Sequence, residues 1–269
     1  MPLAVCATPI GNLDDVTLRV LAELRAAELI LCEDTRVTRV LLERYDVRAP
    51  MLSYHEHNEA QRVEEVLPRL RAGERIALVS DAGLPGVSDP GARLIAAALE
   101  AGVPVTVLPG ASSVETALVA SGLGAERYQF VGFLPRGERA LRAFWDDVAA
   151  WPHAVVAFES PQRLPRTLRS LAEALPGRPA AVCRELTKFY EEVARGTALE
   201  LADRFQDPPK GEVVLVLGPA DVEAGDADAD AAAAAVAELV AEGVPRRRAA
   251  ELVSRLTRVP RNALYDRSL

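Results

Sequence analysis

The stretch Ser80–Gly91, SDAGLPGVSDPG, packs three glycines, two prolines and two aspartates into twelve residues. The apolar run 75–79 leads into it, and a helix-like run, Ala92 to Leu99, leaves it. It therefore sits where a strand ends and a helix begins. Glycine permits positive φ and close backbone approach, while proline fixes loop shape. A two-residue turn would suffice to join the two elements, so a loop this long and this specialised predicts ligand binding. It offers backbone amides and carbonyls, and in open α/β sheets ligands bind beyond the carboxyl ends of the strands.

Other polar clusters fall at matching places. Pro9 to Asp15 follows the first apolar run but matches neither GxGxxG nor a lysine-bearing phosphate loop, so the classical nucleotide readings are weak. Glu33-Asp34-Thr35-Arg36 closes a strand and opens a helix. Asp34 or Thr35 can cap that helix; the alternative is a polar cluster facing a cleft. His55 to Glu59 holds two of the three histidines, with His153 far off and no cysteine placed to complete a tetrahedral set, so no metal site is predicted. Substrate contact, or Asn58 capping the next helix, are the readings for this segment. Ser112 and Ser113 put two hydroxyls at a helix start, either as caps or as contacts to the same ligand. Arg184 to Lys188 contains one of only two lysines, the other being Lys210. Arginine holds its proton too tightly for transfer, whereas a desolvated lysine can shift down. Lys188 is thus a candidate for proton handling or substrate orientation, beside a plain surface role.

These clusters need elements to position them. Strands are predicted at Leu3 to Thr8, Leu29 to Cys32, Met51 to Tyr54, 75–79 and Val103 to Leu108, with helices between them at Thr17 to Ala27, Thr35 to about Arg44, Ala60 to Arg71 and Ala92 to Leu99. A further helix follows to about Ala120. The alternation predicts a mostly parallel α/β sheet. A second block has helices at Glu138 to Ala149 and Pro161 to Ala174, and strands at His153 to Phe158, Ala180 to Cys183 and Val213 to Leu217; Phe189 to Arg195 can pair with the second of these. The fold class is α/β: two α/β domains with a cleft between them, plus a small helical C-terminal region. The segments are 1–122, 123–218, an acidic linker 219–230, and a basic helical region 231–269.

At 269 residues and 49% hydrophobic, the chain has enough apolar content for a sizeable core. Cys6, Cys32 and Cys183 are too far apart for a disulfide framework or zinc spacing, and Cys6 and Cys32 read as small buried hydrophobes. No apolar run spans a bilayer and no basic-then-apolar leader opens the chain, which predicts a soluble, cytoplasmic protein without a membrane partner. The net charge of −8 argues against nucleic acid only on average, because residues 243–269 carry seven arginines against Glu251 and Asp266.

Taken in order, ATPIGNLDD (7–15), EDTR (33–36), HNE (57–59), SDAGLPGVSDPG (80–91), PGASS (109–113), RELTK (184–188), KGE (210–212) and NALY (262–265) form a specific set. Through it the chain resembles the bacterial small-subunit ribosomal RNA (cytidine-2′-O)-methyltransferase I family of the tetrapyrrole methylase superfamily. The resemblance covers essentially the whole chain. It implies S-adenosylmethionine as cofactor, bound between two α/β domains. It also implies 2′-O-methylation of a cytidine ribose in the decoding region of small-subunit ribosomal RNA, free or within the assembled subunit, and a homodimer. The implied cofactor contacts are Ile10, Gly11, Asn12 and Leu13; Asp81, Ala82, Gly83, Leu84 and Pro85; Ser112 and Ser113; Phe158 and Glu159; and Arg184, Glu185 and Leu186. Leu84 departs from the family's usual threonine, so a backbone contact there survives and a hydroxyl contact does not. Candidate catalytic residues are Lys188, Glu33, Asp34 and Arg36, with Glu185 and His55 as further proton acceptors. Candidate RNA contacts are His55, His57, Asn58, Arg246, Arg247, Arg248, Arg255 and Arg258. The rival functions are methylation of a small tetrapyrrole and non-enzymatic cofactor binding.

Overall fold

In the computed structural model, residues 2–124, 126–149, 151–220, 226–257, 259, 261 and 264 are described. Short apolar runs become the strands Leu3–Cys6 (β1), Leu29–Cys32 (β2), Met51–Ser53 (β3), Ile76–Leu78 (β4) and Val105–Leu108 (β5). They pair in the order β3-β2-β4-β1-β5, all parallel. Side chains alternate across a strand, so each strand feeds two cores. Ala4, Cys6, Ile30, Cys32 and Ala77 face helices Leu18–Ala26 (α1) and Thr35–Arg44 (α2), which supply Val20, Leu24, Leu41 and Leu42. Leu3, Val5, Leu31, Ile76 and Leu78 face helices Glu59–Arg71 (α3) and Ala92–Glu100 (α4), which supply Val66, Leu70, Leu94 and Ala98. Burial on both faces is what a parallel sheet requires.

The strands of the second sheet are Tyr128–Phe133 (β6), Ala154–Glu159 (β7), Pro179–Arg184 (β8), Glu192–Thr197 (β9) and Val213–Leu217 (β10), in the order β6-β7-β10-β8-β9. β6 runs parallel to β7, and the other pairs are antiparallel. One face is covered by Glu138–Ala149 (α6), Leu164–Ala174 (α7) and Ala198–Arg204 (α8), with Trp145, Leu164, Leu168 and Leu171 at or near zero exposure. The other face is covered by Ser113–Ser121 (α5), through Val114, Ala117 and Leu118, and by Ile10. The helix that leaves the last strand of the first sheet thus packs on the second sheet. All three cysteines are buried as free thiols.

Two elements differ from the sequence expectation. β6 lies near the start of the second segment, where no strand was predicted; Gly132, at φ +68, breaks its register between Phe130 and Phe133 and hides the strand pattern. α8 lies where no helix was predicted, although its capping box, Thr197 with Glu200, is a legible start signal.

The chain divides into Met1–Pro219 and a second unit, Ala220–Leu269. In the second unit, helices Asp226–Ala241 (α9) and Arg246–Thr257 (α10) bury Val236, Ala249, Ala250 and Val253 against one another. α9 begins at Asp226, so 226–230 are helical rather than linker. Residues 221–225, Arg258 and most of the NALY segment lie outside the described residues, and the side chain of Arg255 is not described. No helix among the described residues is long and apolar enough to cross a membrane.

Arg178, 5% exposed, ties the second sheet to its helices. Its guanidinium donates to the carbonyls of Gly218 (2.8 Å), Val148 (3.3 Å), Ala149 (3.2 Å) and Trp151 (3.1 Å). Removing it leaves carbonyls without partners in a buried site. Arg178→Leu should therefore lose about 2–5 kcal/mol of stability, read as a lower urea midpoint.

Candidate active site

The specialised loop is stitched to the end of β1. Thr8 N–H donates to Gly83 O (2.8 Å), Gly83 N–H donates to Thr8 O (3.0 Å), and the Thr8 hydroxyl donates to Ser80 O (3.0 Å). Gly110 brings the loop after β5 against the same strand end; a Cβ there would stand 2.9 Å from that of Ala7. These loops, with α5 and the inner face of the second sheet, enclose a cavity of about 900 Å³. That volume suits a cofactor-sized ligand.

Of the predicted contacts, Ile10, Ala82, Gly83, Leu84, Ser112, Ser113, Phe158, Glu159 and Leu186 line this cavity. The others are not among the lining residues. Gly11 faces Lys188 and Thr187, Asn12 caps a short 3-10 turn, and Leu13 packs into the core beneath α1 and α2. Asp81 accepts from the backbone N–H of Asp34 at 3.0 Å, and Pro85 packs by Gly91. Arg184 is ion-paired with Glu192. The Leu84 departure therefore lies on the wall itself.

Glu185 and Lys188 form a lock. The Glu185 carboxylate fills the place of a side chain on Gly211, accepts from Glu212 N–H (3.1 Å) and pairs with Lys188 Nζ (2.9 Å); Lys188 also reaches Glu212 (3.1 Å). Burial works to lower the Lys188 pKa, but the bonds to Glu185 and Glu212 outweigh it, so the pKa is raised. Lys188 is a fixed cation off the cavity wall. The raised pKa speaks for the orienting role of Lys188 over the proton-handling one. The Glu185 carboxylate, lowered chiefly by its bond from Lys188, is likewise a poor proton acceptor.

The EDTR cluster is a cap and an ion pair. Asp34 N-caps α2 through Arg36 N–H and grips the Arg36 guanidinium at 2.6 Å. Those bonds from Arg36 pull the Asp34 pKa down to about 2. Arg36 is largely exposed, and neither residue lines the cavity. The Glu33 carboxyl is raised, first by burial and then by the charge of Asp81. Asn58 does not cap α3; its side-chain carbonyl turns back to His55 N–H at 2.8 Å, while His57 stays exposed.

Several wall residues were not anticipated: Asp89, Glu115, Tyr128, Phe130, Phe133 and Glu212. The signal for Asp89 was in view, inside the opening loop. The β6 aromatics went unseen because their strand did. Phe130 and Phe133 stand edge-to-face with Phe158 at 4.9 and 5.5 Å, an apolar wall suited to a flat ring. Glu115 accepts from the Ser112 and Tyr128 hydroxyls, which lower its pKa. No lysine or arginine is among the described lining residues.

The family model described as tetrapyrrole (corrin/porphyrin) methylases matches residues 2–202. The chain belongs to the tetrapyrrole methylase family. It is 45% identical, over 99% of its length and 91% of the other chain, to a Mesorhizobium japonicum protein named ribosomal RNA small subunit methyltransferase I. Proteins of the same name from Synechocystis (40% identity, 99% of this chain, 97% of that one) and Thermotoga maritima (42%, 80% and 97%) are also similar. Among solved structures, uroporphyrin-III C-methyltransferase from Thermus thermophilus complexed with S-adenosylhomocysteine aligns at TM-score 0.57 and 21% identity, covering 80% of this chain and 96% of that one. A cobalt precorrin-4 methyltransferase aligns at TM-score 0.59 and 20% identity, covering 80% and 94%. These two likenesses show the tetrapyrrole methylase fold.

A Cβ on Gly11 would stand 2.6 Å from Lys188 Cγ and 2.7 Å from the Thr187 hydroxyl. Gly11→Ala should force the two loops apart and cost about 1–3 kcal/mol of stability. Gly177→Ala, whose Cβ meets open space, should leave the thermal midpoint unchanged within error.

Proposed function

We propose that the chain transfers a methyl group from S-adenosylmethionine to the 2′-hydroxyl of a cytidine ribose in small-subunit ribosomal RNA. The observation that carries the reading is identity of 37–45% over nearly the whole chain to proteins named ribosomal RNA small subunit methyltransferase I. The site residues fit the cofactor. The cavity is large enough, its aromatic wall suits an adenine ring, and its carboxylates suit ribose hydroxyls and a sulfonium cation. The absence of a cationic cradle among the described lining residues suits a ligand without a triphosphate.

When bound, the cofactor supplies an electrophilic methyl on a cationic sulfur. The chain's share is positioning and exclusion of water. Loops 82–84 and 109–113 place backbone groups at the cavity, while Phe130 and Phe158 shield it. Lys188 acts from behind the wall as a positioning residue, by keeping the loop after β8 folded. Glu33, Asp34 and Arg36 shape the approach beside the β4 loop, where His55, His57 and Asn58 are candidate ribose or phosphate contacts. The protein acts in the cytoplasm, on free RNA or the assembled small subunit, as a homodimer.

The second unit supports an RNA partner through its charge. Arg246, Arg247 and Arg248 occupy the first turn of α10, where a cation opposes the helix dipole. Arg248 is compensated by Glu251 at 3.2 Å. A basic first turn offers RNA phosphates a positive surface.

The test is transfer of labelled methyl groups to small subunits from cells lacking this modification, with the modified nucleotide mapped. Label at the 2′-oxygen of one decoding-region cytidine is expected. Label on a tetrapyrrole only, or cofactor binding without transfer, overturns the reading. In the same assay, Arg246→Ala/Arg247→Ala/Arg248→Ala should weaken RNA binding and flatten the slope of log affinity against log salt by about 2, with cofactor affinity unchanged.

A further inference from the structure

Four carboxylates line the cavity: Asp89, Glu115, Glu159 and Glu212. Three are already engaged. Glu159 is fully buried, pairs with Arg163 at 2.5 Å and accepts from the Thr167 hydroxyl at 2.5 Å and Ser160 N–H at 2.6 Å. Glu212 pairs with Lys188. Glu115 holds two hydroxyl donors. Asp89 has a single hydroxyl partner, Ser80, and no cationic partner among the described residues.

The loop holds Asp89 in place by construction. Gly86 N–H donates to Pro90 O at 3.2 Å, which closes a tight turn around Val87 to Asp89. Ser88 takes φ +61, a left-handed conformation that costs a non-glycine residue energy and persists only when its surroundings impose it. Beyond the turn, Gly91 N–H is held by Glu59 Oε1 at 3.0 Å, so α3 anchors the far end. A Cβ on Gly91 would press on Leu78 Cδ2 at 3.0 Å. The turn is pinned at both ends with Asp89 on the cavity wall.

The geometry points to Asp89 as the proton acceptor for the attacking ribose hydroxyl. This rests on the proposed function and deepens it. In the step, the 2′-oxygen forms a bond to the methyl carbon while the carbon–sulfur bond breaks, its electron pair staying on sulfur as a neutral thioether. The hydroxyl proton passes to an Asp89 carboxylate oxygen and is later released to water. A ribose hydroxyl is a weak acid, so an acceptor helps late in the transfer.

The surroundings suit that task. Burial, followed by the charge of Glu33, pushes the Asp89 pKa up to about 6, with Asp81 adding to the rise and the Ser80 hydroxyl working against it. Of the other groups near the turn, Glu59 is bonded to Gly91 N–H, and Arg93 on α4 is exposed. Asp89 is therefore a stronger base than an ordinary aspartate, yet mostly ionised at neutral pH. Its folded pKa lies above the unfolded one, so ionised Asp89 weakens the fold. That penalty is complete above about pH 6 and vanishes below the unfolded value near 3.8.

The experiment pairs Asp89→Asn with wild type. Single-turnover methylation of small subunits at pH 8 should fall at least about 100-fold. Calorimetric affinity for S-adenosylhomocysteine should stay within about twofold. Wild-type turnover should lose activity as pH falls through about 6. Independently of activity, Asp89→Asn should raise the thermal midpoint at pH 8 but not at pH 4, and the Asp89 carboxyl carbon should titrate near 6 by NMR. Near-normal turnover of the variant, a carboxyl titrating near 4, or loss of S-adenosylhomocysteine binding each overturns the assignment while the proposed function stands. A wild-type protein that transfers no methyl group to RNA removes both.

Discussion

Everything at the cavity depends on where the Glu185 carboxylate lies. It occupies the space a side chain at position 211 would fill, and it binds Lys188 Nζ and the Glu212 backbone together. Glu185 and Thr187 both take left-handed φ, at +51 and +65, a cost this bonding holds in place. With the loop so folded, the Thr187 hydroxyl accepts from Asn12 N–H at 3.0 Å, and Gly11 admits Lys188 at close range. A strand end of the second sheet is thereby joined to the first loop of the first sheet. The cavity walls come from both, so the lock sets their spacing.

Inside that frame the electrostatics are sorted by partner. Cations and hydroxyls are spent on Glu115, Glu159 and Glu212, which fixes those carboxylates as structure. Glu33, Asp81 and Asp89 are grouped at the carboxyl ends of β2 and β4, and each is raised chiefly by burial. On the cavity wall itself, tightly paired acids thus stand beside one weakly compensated acid, Asp89, the pattern by which proteins separate structural from proton-handling groups.

Much of this was legible in the residues. The opening loop, the strand–helix alternation and the ordered motifs all follow from local chemistry: glycine where backbones meet, β-branched and leucine runs where both sheet faces are covered. What stayed hidden depends on long-range packing. Lys188 reads in sequence as a proton-handling, substrate-orienting or plain surface lysine, and its pairing shows only when Glu212 arrives from 24 residues away. Asp34 and Arg36 read as site residues, yet they satisfy one another. Asp89 was visible within the motif, but its lack of a cation could not be read without the fold. β6 was concealed by Gly132, and with it the aromatic wall.

On the function proposed above, one cavity, walled by both sheets, holds the methyl donor beside Asp89. A crystal structure with S-adenosylhomocysteine tests it most directly. The ligand is expected in contact with loops 82–84 and 109–113, its adenine against the Phe130 and Phe158 wall and its sulfur on the Asp89 side. Density for the ligand elsewhere, or with the sulfur turned away from Asp89, would contradict it.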